Sequence, residues 1–210
     1  MPFDLIIFDC DGVLVDSEVI SCRVHAELLT AHGYPISSEQ VRARFLGRSA
    51  REASLEVEAE LGRALPAEFD ALLKAALFRE FAATLEATPH MHATLAAIAQ
   101  PVCVASSGTP EKIRNSLTRS GLYDRFAPHI FSATQVRNGK PAPDLFLYAA
   151  SQMGAAPGRC LVIEDSVPGI RAAGAAGMAA AGFHGGGHCR VGTAEGCRAA
   201  RALAAFNYQR

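Results

Sequence analysis

Two carboxylates one residue apart, Asp9 and Asp11, close the apolar run Leu5-Ile6-Ile7-Phe8 and precede Gly12. Carboxylates this close repel each other unless a cation sits between them. The pair therefore suggests a metal site, without saying what reacts there. A second acidic pair, Glu164-Asp165, closes Cys160-Leu161-Val162-Ile163 and leads into Ser166-Val167-Pro168-Gly169. Between the two pairs lie Ser106, at the end of Val102-Cys103-Val104-Ala105, with Ser107 and Gly108 behind it, and Lys140, in Asn138-Gly139-Lys140-Pro141-Ala142-Pro143-Asp144. Taken singly, each has an ordinary explanation. An Asp or Ser after a strand caps the next helix, a loop lysine is solvated, and Glu-Asp serves a turn.

Their placement gives them a joint meaning. Short unbroken apolar runs bounded by turn signals read as strands buried on both faces. In a parallel sheet all carboxyl ends lie on one edge, where ligands bind, so segments far apart in sequence converge there. The rest of the chain supplies the connecting elements. Residues 18–32 carry Val19, Ile20, Val24, Leu28 and Leu29 at helical spacing, and Gly33-Tyr34-Pro35 breaks that run. Ser37-Ser38-Glu39-Gln40 offers a helix start. Further helices are expected over 50–61 and 67–86, with no strand-like run among them. From Pro89 the alternation of an α/β domain begins. Helices are expected over 92–99, from Thr109-Pro110 onward, over 143–153 and over 170–176; strands are expected over 102–105, 129–132 and 160–163, with a weaker one over 177–183.

Composition narrows the function classes. Half of the 210 residues are hydrophobic and the formal net charge is -1, so a sizeable core is available and no bulk field points to nucleic acid or membrane. No apolar run reaches bilayer-spanning length. Met1-Pro2-Phe3-Asp4 lacks the basic start of a signal peptide, and the following apolar run is too short for one. The six cysteines form no Cys-x-x-Cys pair; they read as buried reduced thiols and place the protein in the cytoplasm. His184-Gly185-Gly186-Gly187-His188 reads as a loop at the site's rim, since flexible glycines present metal ligands poorly. The tail from 189 is basic and alanine-rich.

Taken in order, the motifs resemble those of the haloacid dehalogenase superfamily, in the branch with a small helical cap that includes β-phosphoglucomutase-like proteins and sugar-phosphate phosphatases. The matches are Asp-x-Asp-Gly-Val at Asp9 to Val13, a strand-terminal Ser at Ser106, Lys-Pro-x-Pro-Asp at Lys140 to Asp144, and Glu-Asp-Ser-x-x-Gly at Glu164 to Gly169. The resemblance extends to about residue 188. It implies a Rossmann-like α/β core with a parallel sheet, residues 1–15 and 88–210, and a small all-helical cap domain, residues 16–87, inserted after the first strand. It further implies a Mg²⁺-dependent phosphatase in which Asp9 attacks phosphorus and forms an aspartyl phosphate. Asp11 would be the acid that protonates the leaving oxygen, then the base that activates water. Mg²⁺ would be held by an Asp9 carboxylate oxygen, the Asp11 carbonyl and Asp165, with Glu164 coordinating directly or orienting a metal-bound water. Ser106, Ser107 and Lys140 would bind the phosphoryl group.

The resemblance also separates the branches. The dehalogenases proper lack the second aspartate and need no metal, so Asp11 favours phosphoryl transfer. The phosphonate-cleaving branch uses a cap lysine, and Lys74 is the one lysine in the inserted region, without a matching local pattern. The closer rival is a hexose-phosphate mutase similar to β-phosphoglucomutase. Its cap histidine position is Ser21 here, and the nearest histidine, His25, lies a turn further on. Arg48 and Arg51 fall where relatives keep a substrate-specificity loop and suit a second anionic group. The implied partner is a small phosphorylated metabolite, a sugar or sugar-acid phosphate, with no nucleic acid or membrane and with the chain as monomer or weak homodimer. A non-catalytic phospho-ligand-binding or receiver-like module is the remaining alternative. Receivers place their phospho-accepting Asp on an internal strand and carry no helical insertion.

Overall fold

The computed structural model describes residues 3–45 and 50–185. The chain divides into two compact units, one formed by the chain up to Asp16 and from Glu86 onward, the other by Ser17–Leu85. The first unit opens with β1 (Leu5–Phe8), all four residues of which are buried. The second unit is wholly helical among its described residues: α1 (Ser17–Ala31), α2 (Ser38–Phe45), α3 (Ala50–Leu61) and α4 (Phe69–Thr84). The first unit then resumes with α5 (Met91–Ala97), β2 (Val102–Ser106), α6 (Pro110–Arg119), α7 (Tyr123–Phe126) and β3 (Ile130–Ser132). It ends with α8 (Asp144–Gln152), β4 (Cys160–Glu164), α9 (Val167–Ala175) and β5 (Ala179–Gly182). The weak strand expected over 177–183 thus forms. The single turn α7 was not expected, being too short to show a periodicity.

The five strands pair in the order β3-β2-β1-β4-β5, every pair parallel. This is the expected α/β Rossmann-like sheet. β1 is central because it lacks a polar face; a strand covered on both sides costs nothing in exposed polar groups only if its side chains are apolar on both. Alternate residues point to opposite faces. Leu5 and Ile7 join Cys103, Ala105, Leu145, Phe146, Val162 and Ala172 in one cluster. Phe8 points to the other face and meets Phe126 edge-on, with ring centroids 5.9 Å apart. Burying each such side chain stabilises the fold by about 1.5–3 kcal/mol.

Register fixes what stands at the carboxyl edge. Phe8 lies opposite Val104 on one side and Ile163 on the other, so Asp9 follows at the level where Glu164 ends β4. Connections run from β1 to β2 and β3 on one side, and to β4 and β5 on the other. β1 and β4 therefore flank the switch point where open α/β sheets bind ligands.

The helical unit has its own core, in which Cys22, Val24, Leu29, Val41, Phe45, Val57, Phe69 and Leu73 are buried. Its α2 begins with a reciprocal cap, the Gln40 backbone N–H donating to Ser37 Oγ (3.3 Å) and the Ser37 N–H to Gln40 Oε1 (2.9 Å), as the Ser-x-x-Gln spacing predicts. No helix among the described residues is long and apolar enough to cross a membrane. Arg48, His188 and the tail after Arg190 lie outside the described residues.

Candidate active site

The chain leaves β1 in a tight turn. Gly12 takes a positive φ of 80°, its N–H donates to the Val15 carbonyl (2.8 Å), and the Leu14 and Val15 N–H groups donate to the Cys10 carbonyl. Thr88 Oγ1 donates to the Val13 carbonyl at 2.6 Å. These bonds hold Asp9, Cys10 and Asp11 in one fixed loop above the sheet edge. Cys10, between the two acids, is no rival nucleophile: burial pushes its thiol well up, and the charges of Asp11 and Asp9 add to the effect.

Lys140 organises the floor. Its Nζ donates to Asp9 Oδ1 at 2.5 Å and to Glu164 Oε1 at 2.7 Å, with all three side chains nearly sealed from solvent. The ammonium also stands 4.9 Å from the centre of the Phe146 ring, a favourable cation–π placement. The loop that carries it is closed by Asp144, whose Oδ2 accepts from the Asn138 backbone and side chain. Burial alone would pull Lys140 down; the charges of Asp9 and Glu164 hold it above the ordinary lysine range instead. For Asp9 burial is also the largest influence and pushes the carboxyl well above the usual carboxylate range. Lys140 opposes this, and Glu164 and Asp165 reinforce it.

Glu164 is held at both oxygens. Oε1 accepts from Lys140, and Oε2 accepts from the Ser166 backbone N–H at 2.6 Å. Its room comes from Gly169, where a Cβ would stand 1.8 Å from Glu164 Oε1. Gly169 is in turn placed by the α9 N-cap, where Ser166 Oγ accepts from the Gly169 N–H at 3.2 Å. Asp9, Glu164 and Asp165 each bring a carboxylate oxygen to within 4.8 Å of the others. Three carboxyl groups gather there against one ammonium, which pairs with Asp9 and Glu164, and the all-oxygen donor set suits a hard divalent cation.

Ser106, at the end of β2, is buried. Its Oγ accepts from the Gly108 backbone N–H at 3.1 Å, so it closes its own turn, and Thr109 rather than Ser106 caps α6. Ser107 is exposed beside it. The loop is braced from the next strand: Ser132 Oγ donates to the Gly108 carbonyl at 2.7 Å. Thus Asp9, Glu164, Asp165 and Lys140 come together, with Ser106 and Asp11 at the ends or exits of neighbouring strands. Arg51 is an exposed residue of α3, in the helical unit.

Lys112, absent from the sequence reading, joins this edge. Its Nζ donates to Asp11 Oδ2 at 2.8 Å. Burial works against its charge, but Asp11 raises it above the ordinary lysine range. One sequence signal was available. Lys112 sits in the first turn of α6, where the helix dipole disfavours a cation, and such a lysine needs an acidic partner from elsewhere in the fold.

A family model for haloacid dehalogenase-like hydrolases matches residues 3–177. The chain belongs to that family. The 6-phosphogluconate phosphatase of Escherichia coli (strain K12) is 34% identical over 176 residues, covering 83% of this chain and 80% of that protein. Among solved structures, a haloacid dehalogenase-like protein of unknown function from Agrobacterium tumefaciens str. C58 superimposes with a TM-score of 0.85 at 38% identity, covering 99% of this chain and 100% of the other. A family hydrolase from Deinococcus radiodurans R1, crystallised with bound phosphate and sodium, gives a TM-score of 0.76 at 31% identity, covering 94% of this chain and 88% of the other. The family is one of hydrolases, so this haloacid dehalogenase-like chain is an enzyme, and its acidic cluster and Lys140 stand at the edge where open α/β sheets as a class bind ligands.

Proposed function

We propose that this hydrolase is a Mg²⁺-dependent phosphatase of a small phosphorylated metabolite, a sugar or sugar-acid phosphate, working through an aspartyl phosphate on Asp9. The observation that carries the reading is the carboxylate group of Asp9, Glu164 and Asp165, the first two buried and paired with Lys140. The naming of its relative as a 6-phosphogluconate phosphatase supports the substrate class. The four described cysteines are buried free thiols, which suits a reducing cytoplasm.

Asp9, the Asp11 carbonyl and Asp165 would hold Mg²⁺, with Glu164 beside them. Bound there, the ion reduces the repulsion between an anionic nucleophile and an anionic ester. An Asp9 carboxylate oxygen attacks phosphorus, the bond to the leaving oxygen breaks, and Asp11 gives that oxygen its proton. Asp11, now a carboxylate, takes a proton from water. The water oxygen attacks the aspartyl phosphate, the Asp9–phosphorus bond breaks, and phosphate leaves. Lys140 holds Asp9 Oδ1 and neutralises a phosphate oxygen, while the Ser106 hydroxyl and the Ser107 backbone bind the transferring group. Arg48 and Arg51 are the proposed contacts for a second anionic group on the substrate.

The helical unit favours a phosphatase over a mutase. Ser21 occupies the mutase histidine position, and His25 is packed between the rings of Phe45 and Phe69, at 6.0 and 6.3 Å. Lys74 is exposed and lies 5.5 Å over the Phe78 ring, which gives no support to imine chemistry.

A panel of phosphorylated metabolites including 6-phosphogluconate, with para-nitrophenyl phosphate as a general ester, tests the proposal. Mg²⁺-dependent phosphate release is expected, reduced roughly 10³-fold or more in Asp9→Asn. Mg²⁺ is also expected to raise the thermal midpoint of the wild type and to raise that of Asp165→Asn less. Absence of Mg²⁺-dependent release from every ester would defeat the phosphatase reading, and conversion of a hexose 1-phosphate to its isomer would favour the mutase.

A further inference from the structure

We infer that Lys112 is a positioning residue for the acid/base Asp11, holding its carboxyl group at the leaving-group side of the reacting phosphate. The inference rests on the assignment of Asp11 proposed above and adds the group that aims it.

Three observations carry it. The first is the contact itself, a 2.8 Å ion pair between residues 101 positions apart, with both side chains half-buried. The second is the cost of its location. Lys112 is the third residue of α6, after the Thr109 cap and Pro110, and its own backbone N–H donates to Thr109 Oγ1 at 3.3 Å. A cation in that turn opposes the helix dipole, so helix stability does not account for it, whereas the pair with Asp11 does. The third is continuity. The turn that presents Lys112 follows directly on Ser106-Ser107-Gly108, and a Cβ on Gly108 would lie 3.6 Å from Lys112 Cδ and 3.5 Å from Ser106 Oγ. The lysine stem therefore lies along the phosphoryl-binding loop. One element carries the hydroxyl assigned to the phosphoryl group and the ammonium that holds the acid, so the spacing between them is set by a helix start rather than by two independent loops.

Lys140 and Lys112 divide the work. Lys140 grips the nucleophile from below, buried against Phe146. Lys112 grips the acid/base from the neighbouring strand's exit. Two carboxylates separated by one residue are thus each tied to a separate ammonium, and neither cation can leave without loosening its own aspartate.

A leaving-group series separates aiming from simple phosphate binding. Substituted phenyl phosphates are taken from para-nitrophenyl, whose phenolate leaves with little help, to unsubstituted phenyl phosphate, which needs its oxygen protonated. The readout is kcat/KM, which reports the step that breaks the ester. In Lys112→Met, kcat/KM for phenyl phosphate is expected to fall about tenfold more than for para-nitrophenyl phosphate, and Lys112→Arg is expected to recover most of the difference. Asp11→Asn is expected to steepen the series in the same sense. An equal loss across the series in Lys112→Met, alongside a steep series in Asp11→Asn, overturns this inference and leaves the acid/base assignment standing. A flat series in Asp11→Asn overturns that assignment and this inference with it.

Discussion

The Lys140 cluster and the helical unit handle charge in opposite ways. At the edge of the parallel sheet, Lys140, Asp9 and Glu164 are enclosed, with side-chain exposures of 5%, 9% and 1%, and the partners come from elements far apart in sequence. In the helical unit the ion pairs lie at the surface. Arg23 reaches Glu27 one turn along α1 and Glu80 on α4, and Arg44 spans Glu56 and Glu60, with side-chain exposures from 27% to 63%. Exposed pairs of this kind contribute about 0–1 kcal/mol. Buried ones add little net stability, yet removing one partner costs about 3–5 kcal/mol because a charge is left uncompensated. Loss of one charge is therefore costly in the Lys140 cluster and cheap among the surface pairs of the helical unit.

Lys140→Met puts the strongest strain on this contrast. It leaves Asp9 and Glu164 facing each other without their shared cation, and a loss of about 3–5 kcal/mol is expected, measured by urea unfolding at neutral pH. A loss below about 1 kcal/mol would place the cluster in the same class as the surface pairs. Gly169→Ala sets two effects against each other. Helix propensity favours alanine by about 1 kcal/mol, whereas a Cβ placed 1.8 Å from Glu164 Oε1 must displace a carboxylate bonded at both oxygens. Overpacking costs about 1–3 kcal/mol and the disturbed hydrogen bonds add to it, so net destabilisation with reduced turnover is expected. A more stable, fully active variant would show that the edge has slack.

Arg44→Ala tests the other side. Its pairs are exposed, though its guanidinium also covers the Phe45 ring at 4.9 Å, so a loss of about 1 kcal/mol is expected. A loss approaching that of Lys140→Met would erase the contrast. The smallest effect belongs to His25, which burial pulls below the ordinary histidine range while Asp70 partly restores it. A base with a depressed pKa binds fewer protons folded than unfolded, so stability rises with pH up to the unfolded value of about 6.5 and falls as pH drops below it. Wild-type urea midpoints are expected to fall between pH 7 and 5.5, and part of that fall is expected to vanish in His25→Gln.

Much of the sheet edge was legible because its cause is local. An apolar run stops at a polar residue, and parallel packing carries all such stops to one side; Asp9, Ser106 and Glu164-Asp165 were found in that way, and Lys140 by its Lys-Pro-x-Pro-Asp loop. Lys112 was not, because its partner is 101 positions away and the one local signal, a lysine in a first helical turn, names no partner. Gly169 was visible as a motif glycine, but its reason, the room for Glu164, exists only once α9 has packed beside β4. Ser132 escaped for the same cause, since its service to the Gly108 carbonyl is a matter of β3 lying next to β2.

The central position of β1 also bears on biosynthesis. Its four apolar residues pair with nothing until Val102 to Val104 arrive, and the other side is covered only by Cys160 to Ile163. A chain growing from its N-terminus completes the helical unit, with its local contacts, before either partner exists. For that interval Leu5-Ile6-Ile7-Phe8 is an unpaired strand with two open edges, the kind of segment that seeks other chains. The strand that leads into Asp9 is thus, during synthesis, the one most in need of protection.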